Sequence, residues 1–224
     1  MFTQNTFRFL DELAAHNNRT WFDANKKNYE LLVREPALDF IEAMEPALAT
    51  FAPAFRAEPR KVGGSLMRVY RDTRFARDKT PYKTNIGIQF RHQLGKDVHA
   101  PGFYVHIASD ECFFAVGCWR PEANALNKIR TLVAEKPEKW IAARDDKKFA
   151  THWSLTGDTL IRPPRGYEAN HPLIVDIKRK DFIAISPLSV DEVTGKGLVK
   201  MTGKRFETTV PFMKFLCEAL EVSF

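Results

Sequence analysis

In 103-FYVHIASDECFFAVGCW-119 two runs of strand-forming residues, Phe103 to Ala108 and Cys112 to Trp119, are separated only by Ser109-Asp110-Glu111. Three polar residues suffice for a hairpin and are too few for a crossover helix, so the two runs read as antiparallel neighbours. Upstream, Leu66 to Arg71 and Ile86 to Arg91 read the same way, each bounded by Gly, Pro or polar turn residues. Nothing helical lies between these four runs, which predicts an antiparallel or mixed sheet.

Helical patterns surround this middle. Phe7, Leu10, Leu13 and Ala14 recur at helical spacing behind an expected Thr6 cap. A second helix is expected after Asn18 or Thr20, with Trp21, Phe22, Tyr29 and Leu32 as its apolar groups. Pro36 suits the first turn of a third, carrying Leu38, Ile41, Met44 and Leu48, and Pro53 to Gly64 reads as a connector. Beyond the strands, Pro121 opens a helix with Leu126, Ile129, Leu132 and Val133, and Pro137 opens another around Trp140 and Ile141. A short strand pair (Thr159 to Arg162, Phe182 to Ser186) and a terminal helix with Phe212, Phe215, Leu216 and Leu220 complete the reading. The expectation is a single α+β domain over residues 1–224, its central, mostly antiparallel sheet flanked by N-terminal and C-terminal helices.

Bulk composition excludes several classes. With 224 residues, 44% of them hydrophobic and 28% charged, the chain is neither disordered nor collagenous. Folding should bury roughly 70–75% of its extended surface. The longest apolar run, Cys112 to Trp119, is far short of the roughly 18 residues that cross a bilayer. No signal segment is read at the N-terminus, so no membrane partner and a cytoplasmic setting are expected. Three cysteines cannot all pair within one chain. Cys112 and Cys118, six residues apart on one strand, would lie roughly 20 Å from each other, beyond disulfide reach. All three, Cys217 included, read as buried small hydrophobes.

Charge is concentrated. Residues 60 to 96 hold Arg60, Lys61, Arg68, Arg71, Arg74, Arg77, Lys79, Lys83, Arg91 and Lys96 against only Asp72 and Asp78. That window carries +8 and, against +6 for the whole chain, the remainder carries −2. Its centre, 66-LMRVYRDTRFARDKTPYKTNIG-87, spaces four arginines by three residues. Val69, Tyr70, Thr73 and Pro81 disfavour a helix there, so the segment reads as a strand running into a long charged loop.

The pattern Arg68-x-x-Arg71-Asp72-x-Arg74-Phe75-x-x-x-Lys79-x-x-Tyr82 resembles the signature of the uncharacterised family called domain of unknown function 2461. That family comprises bacterial proteins of about this size, with fungal relatives. Ala100-Pro101-Gly102-Phe103-Tyr104 and Gly117-x-Trp119-x-Pro121 extend the resemblance over nearly the whole chain. It implies no activity, so chemistry must be read from the residues.

Guanidinium groups grip phosphate or carboxylate through paired donors, and Lys adds a point charge. Arg68, Arg71, Arg74, Lys79, Tyr82 and Lys83 are therefore the expected binding set for a small anionic ligand. Asp72 is expected to hold arginines in pose or to act as a base. Strand alternation puts Tyr104 and His106 on one face of their strand and Gln89 on the same side of its neighbour. If Arg68 and Tyr70 share that face, the sheet offers a polar cleft beneath the basic loop. Three readings stay open: an anion-binding module centred on 68–83, a nucleic-acid-binding protein using Tyr70, Phe75 and Tyr82 among the basic groups, or an enzyme on an anionic substrate with no definable reaction. A structural ion-pair network is the bland alternative. No phosphate loop, nucleophile elbow or metal motif occurs, and Gly63-Gly64 reads as a turn, so no cofactor and no metal site are expected. His92, His99 and His106 read as ordinary surface or sheet histidines. Trp21, Phe22, Trp119 and Trp140 read as core.

Overall fold

The computed structural model describes residues 1–94 and 101–224; Lys96, His99 and Ala100 lie outside the described residues. Helices α1 (Gln4–Ala15), α2 (Arg19–Ala24) and α3 (Lys26–Tyr29) lead through a π turn, Glu30–Arg34, into α4 (Glu35–Phe51). Strands β1 (Phe55–Arg56), β2 (Ile86–His92), β3 (Gly102–Ile107) and β4 (Cys112–Cys118) follow. Then come α5 (Ala123–Glu135), α6 (Pro137–Arg144), α7 (Lys147–His152), β5 (Ser154–Thr156), α8 (Ile174–Ile177) and β6 (Phe182–Leu188). Helices α9 (Val190–Thr194), α10 (Leu198–Glu207) and α11 (Val210–Ala219) close the chain. The fold is α+β, with sheet order β1-β2-β3-β4-β6-β5 and every neighbouring pair antiparallel. The hairpin read at Ser109–Glu111 is present, its Ala108 N–H donating to the Glu111 carbonyl at 3.0 Å.

Period-two alternation sorts the sheet's two faces. Ile88, Phe90, Phe103, Val105, Ile107, Phe114, Phe182 and Ala184 are fully buried. They meet aromatic side chains from the helices. Phe206 of α10 lies 4.9 Å from Phe103 and 5.1 Å from Phe114, and Phe40 of α4 lies 6.5 Å from Phe90. Burying each such ring contributes about 1.5–3 kcal/mol, and this layer is where the fold's stability resides. The opposite face carries Gln89, Tyr104, His106, Phe113, Ile183 and Ile185, all only partly covered.

Several local readings need correction. Thr3, not Thr6, caps α1; Thr6 is the third helical residue, and its hydroxyl accepts the Thr3 N–H at 3.1 Å in a capping box. Asn18 caps α2 by accepting the Trp21 N–H at 2.9 Å, and Ala14 faces solvent. Pro36 does sit in the first turn of α4, but the helix does not begin afresh there. Proline removes the N–H that would bond to residue 32, and the turn before it widens, with the Glu35 N–H reaching the Glu30 carbonyl.

Downstream, β6 pairs on its outer side with β5, three residues long; Thr159 makes only an isolated bridge to Arg179. Trp119 is 68% exposed under the Arg120 guanidinium, 4.9 Å from the ring centroid, so it is not core. Trp21 is half-buried, whereas Phe22 and Trp140 are core as expected. Asp146 caps α7 and Asp145 pairs with Arg144, both at helix ends. All three cysteines are buried, and burial pushes each thiol up. No helix among the described residues is long and apolar enough to cross a membrane.

Candidate anion-binding site

Leu66 to Arg71 is not a continuous strand. Leu66 bridges Ile88 on β2, where the Met67 N–H donates to the Gly87 carbonyl at 2.9 Å. After a bend at Val69 the chain changes partner and pairs with its own return, Tyr70 opposite Tyr82. The Arg71 N–H donates to the Pro81 carbonyl at 2.9 Å and the Lys83 N–H to the Val69 carbonyl at 2.7 Å. Pro81 has no N–H to give, so the ribbon ends there and residues 72–80 form its tip.

Asn17 locks the ribbon's root. Its amide donates to the Tyr82 carbonyl at 3.0 Å and accepts the Tyr82 N–H at 3.1 Å. The Tyr82 ring, 3% exposed, stacks on Phe22 at 4.0 Å. Tyr82 is therefore an anchor for the segment, and no local sequence signal marks Asn17, 65 residues away, as its clamp.

At the tip two arginines are paired locally. Arg71 pairs with the Asp78 carboxylate and donates to the Thr80 hydroxyl. Arg74 donates twice to Asp72, at 3.0 and 2.7 Å, and Lys79 donates to the Thr73 carbonyl at 2.8 Å. The Asp72 side chain takes the Arg74 side-chain and backbone donors, which hold its carboxyl at about 2 instead of 3.8. The Thr80 backbone N–H, followed by the Arg71 guanidinium, does the same for Asp78, also at about 2.

Because both pKa values are depressed, the order these pairs give the tip is complete above the ordinary value and is lost as pH falls through the folded one. The Arg74 and Thr80 amide resonances should therefore shift with midpoints near 2 rather than 3.8 in a pH titration. Midpoints near 3.8 would mean that the pairs do not form in solution.

A second polar group lies on the partly covered sheet face. Tyr104 Oη is 3.1 Å from His106 Nδ1, and Asn85 Nδ2 is 3.4 Å from the same nitrogen. The imidazole stacks on its cross-strand neighbour Phe113, 4.6 Å away and 4° from parallel. Burial pushes the Tyr104 hydroxyl up to about 12 and the His106 imidazole down, so both are neutral near pH 7.

Gly87, paired with His106, makes this corner possible. A methyl group there would lie 2.9 Å from both Met67 Sδ and Tyr104 Oη. Both are ends of side chains that can move, so Gly87→Ala should change stability by less than about 1 kcal/mol while displacing the Tyr104 hydroxyl. The check is a pair of measurements, the urea midpoint and the His106 ring resonances; unchanged His106 resonances would show that the glycine is not needed here.

A family described as conserved hypothetical protein (DUF2461) matches residues 5–215. The chain belongs to that family. No curated protein and no solved structure matches it. In this DUF2461 chain the expected residues are therefore divided between two neighbouring groups. Gln89, Tyr104 and His106 do share a face, as alternation requires. Arg68 and Tyr70 do not join them as the expected cleft requires. Pairing Leu66 with Ile88 sends Leu66 to the core and Met67 over Gly87, so Arg68 falls one step along, at the rim. Tyr70 packs instead beside Phe22 and Tyr82, at 6.4 and 5.4 Å. Arg71, Asp72, Arg74 and Lys79 are engaged with one another or with the tip backbone. Arg68 and Lys83 remain. Neither makes an ion pair among the described residues, and Lys83 is half-buried and lowered first by burial and then by the charge of Arg68.

Proposed function

We propose that this protein binds a small anionic ligand at the root of the basic ribbon, between Arg68 and Lys83. One observation carries the reading: Arg68 and Lys83 act on each other, Lys83 is half-buried, and neither makes an ion pair among the described residues, Asp72 acting on Arg68 only at longer range. Like charges brought together with partial desolvation raise the free energy of the unliganded protein, and an anion seated between them removes that cost. Arg71 and Arg74 support the site by staying out of it, because Asp78 and Asp72 already neutralise them.

The experiment is thermal unfolding of the protein with phosphate, pyrophosphate or citrate, repeated in Lys83→Met. At a hundred times Kd a ligand adds about 2.7 kcal/mol to stability, a shift of roughly 5–10 °C for a chain of this size. That shift should be absent in Lys83→Met. Equal shifts in both proteins would remove the site. A single-stranded oligonucleotide provides the contrasting arm, since Phe75 is 96% exposed at the tip with the Arg74 guanidinium 6.0 Å from its ring centroid. Oligonucleotide binding that survives Lys83→Met but fails in Phe75→Ala would move the function to the tip.

A further inference from the structure

Helix α10 carries two distinct stripes. Leu198, Thr202, Gly203 and Phe206 are buried against the core. Gly197, Lys200, Met201, Lys204, Arg205 and Thr208 recur at three- and four-residue intervals and form a second stripe outside it. With His152, the last residue of α7, this stripe lines a groove of about 410 Å³, within the range of small-molecule sites. Its deeper residues are Met201, Arg205 and Thr208, all only partly exposed. They have little polar capacity left. The Thr208 hydroxyl accepts the Trp153 Nε1–H at 3.0 Å and donates its own hydrogen to the Arg205 carbonyl at 2.7 Å. Arg205 is pinned by Glu192 at 2.9 Å and the Pro187 carbonyl at 3.1 Å. The Met201 thioether, 3.7 Å from Arg205 Nη2, is polarisable and flexible, a side chain that moulds to an apolar guest.

At the rim the charges are unanswered. His152, Lys200 and Lys204 are exposed, and their side chains make no hydrogen bond or ion pair among the described residues. Among those residues no carboxylate lines the groove. Glu192 is taken by Arg205, and Glu207, three positions past Lys204, lies outside the lining. Lys200 and Lys204 stand one helical turn apart, so both ammonium groups can reach one guest. Gly197 leaves the end of the groove open: a methyl group there would meet nothing within 4 Å. Two cations above a floor whose polar atoms are spent suit a guest with one charged end and one apolar end. An ammonium group is a point charge and asks for no particular anion geometry, so the apolar body rather than the shape of the head sets the ligand class.

We propose that the groove between α7 and α10 is a second binding site, for a small amphiphilic anion of the acyl carboxylate kind. Its charged end meets Lys200 and Lys204, and its chain lies on Met201 and Thr208. The site shares no residue with the ribbon, so it stands or falls separately from the anion-binding reading above.

The test follows the methyl resonance of Met201 in protein labelled with ¹³C at its methionine methyl groups, assigned by its absence in Met201→Leu. The probe is octanoate, with acetate as the charge alone and 1-octanol as the chain alone. Octanoate should move the Met201 resonance along one saturating curve, with acetate and octanol each at least tenfold weaker. Lys200→Gln combined with Lys204→Gln should weaken octanoate about tenfold, the scale of one hydrogen bond to a charged group. An unchanged Trp153 indole resonance in that double variant reports that α7 and α10 still meet. Octanol as tight as octanoate, or full affinity in the double variant, removes the lysines and overturns the proposal. Acetate as tight as octanoate removes the apolar floor and overturns it too. A Met201 resonance that octanoate does not move overturns the site. Lys83→Met should leave the octanoate curve unchanged; a curve lost in that variant would place the ligand at the ribbon and overturn the groove.

Discussion

Trp140→Ala should lower the stability of this protein by about 3–5 kcal/mol, the range for removing a large aromatic side chain from a packed core. Trp140 is fully buried on α6, and its ring lies 5.6 Å from Phe182, 6.0 Å from Phe212 and 5.1 Å from Phe215. It therefore joins β6 to α11, and the cavity left by alanine opens between elements that cannot collapse independently. The indole carries a second, opposite effect. Its Nε1–H is buried with no hydrogen-bond partner among the described residues. An unsatisfied buried donor costs about 1–3 kcal/mol, so much of what the ring contributes is already offset. Trp140→Phe removes the orphan donor while keeping most of the apolar surface, and it should stay within about 1 kcal/mol of wild type. Urea unfolding at constant m separates the two variants, with alanine also lowering Tm by roughly 10 °C. A phenylalanine variant as unstable as the alanine one would show that the indole N–H is satisfied in solution.

The order of helices, strands and helices was legible because each rests on local periodicity. Phe103, Val105 and Ile107 alternate cleanly, and a three-residue turn leaves no topology except a hairpin. Leu66 to Arg71 was not legible for the opposite reason. Its strand-forming residues are real, but half of them pair with β2 and half with their own return, and a local pattern cannot say when a chain changes partner. The same limit applies to the outer side of β6, where its partner β5 is only three residues long. Short helices such as α8 and α9 fall below the length at which a hydrophobic stripe can be recognised, although Ser189 and Glu192 do form the reciprocal cap that marks the start of α9.

The candidate site divides along the same line. Charge concentration named the right segment, and alternation named Tyr104 and His106 as companions on one face. Which cations are spent was beyond reach, because it depends on Asp72 and Asp78 folding back across a turn onto Arg74 and Arg71. Once those pairs are drawn, the +8 excess is unchanged, since it already counts both aspartates, but Arg71 and Arg74 at its centre become framework. Asn17 and Met67 were invisible as contributors for a different reason: one clamps backbone from a distant helix and the other acts through position alone. Arg68 and Lys83 stand out only by subtraction.

Two glycines on adjacent parts of the sheet show how fold and site are held by separate means. Gly117 has φ of +110°, a conformation that side chains rarely adopt, and a methyl group there would run into the Phe182 carbonyl oxygen across the β4–β6 pairing. Nothing flexible stands in the way; the obstacle is backbone, and it yields only if β4 and β6 separate. Those two strands make the longest register in the sheet, Cys112 opposite Leu188 through Cys118 opposite Phe182. Gly117→Ala should therefore cost about 4 kcal/mol or more, the sum of an unfavourable backbone conformation and a strand displacement. Amide exchange would report it as lost protection on both β4 and β6, with His106 perturbed as well because Phe113 beneath it belongs to β4. Gly87→Ala predicts the reverse pattern: a protected sheet, an almost unchanged urea midpoint, and a disturbed Tyr104–His106 pair. A Gly117→Ala protein with wild-type protection on β6 would mean that the strands have room to part locally. The sheet's middle would then be a softer support for the His106 corner than its register implies.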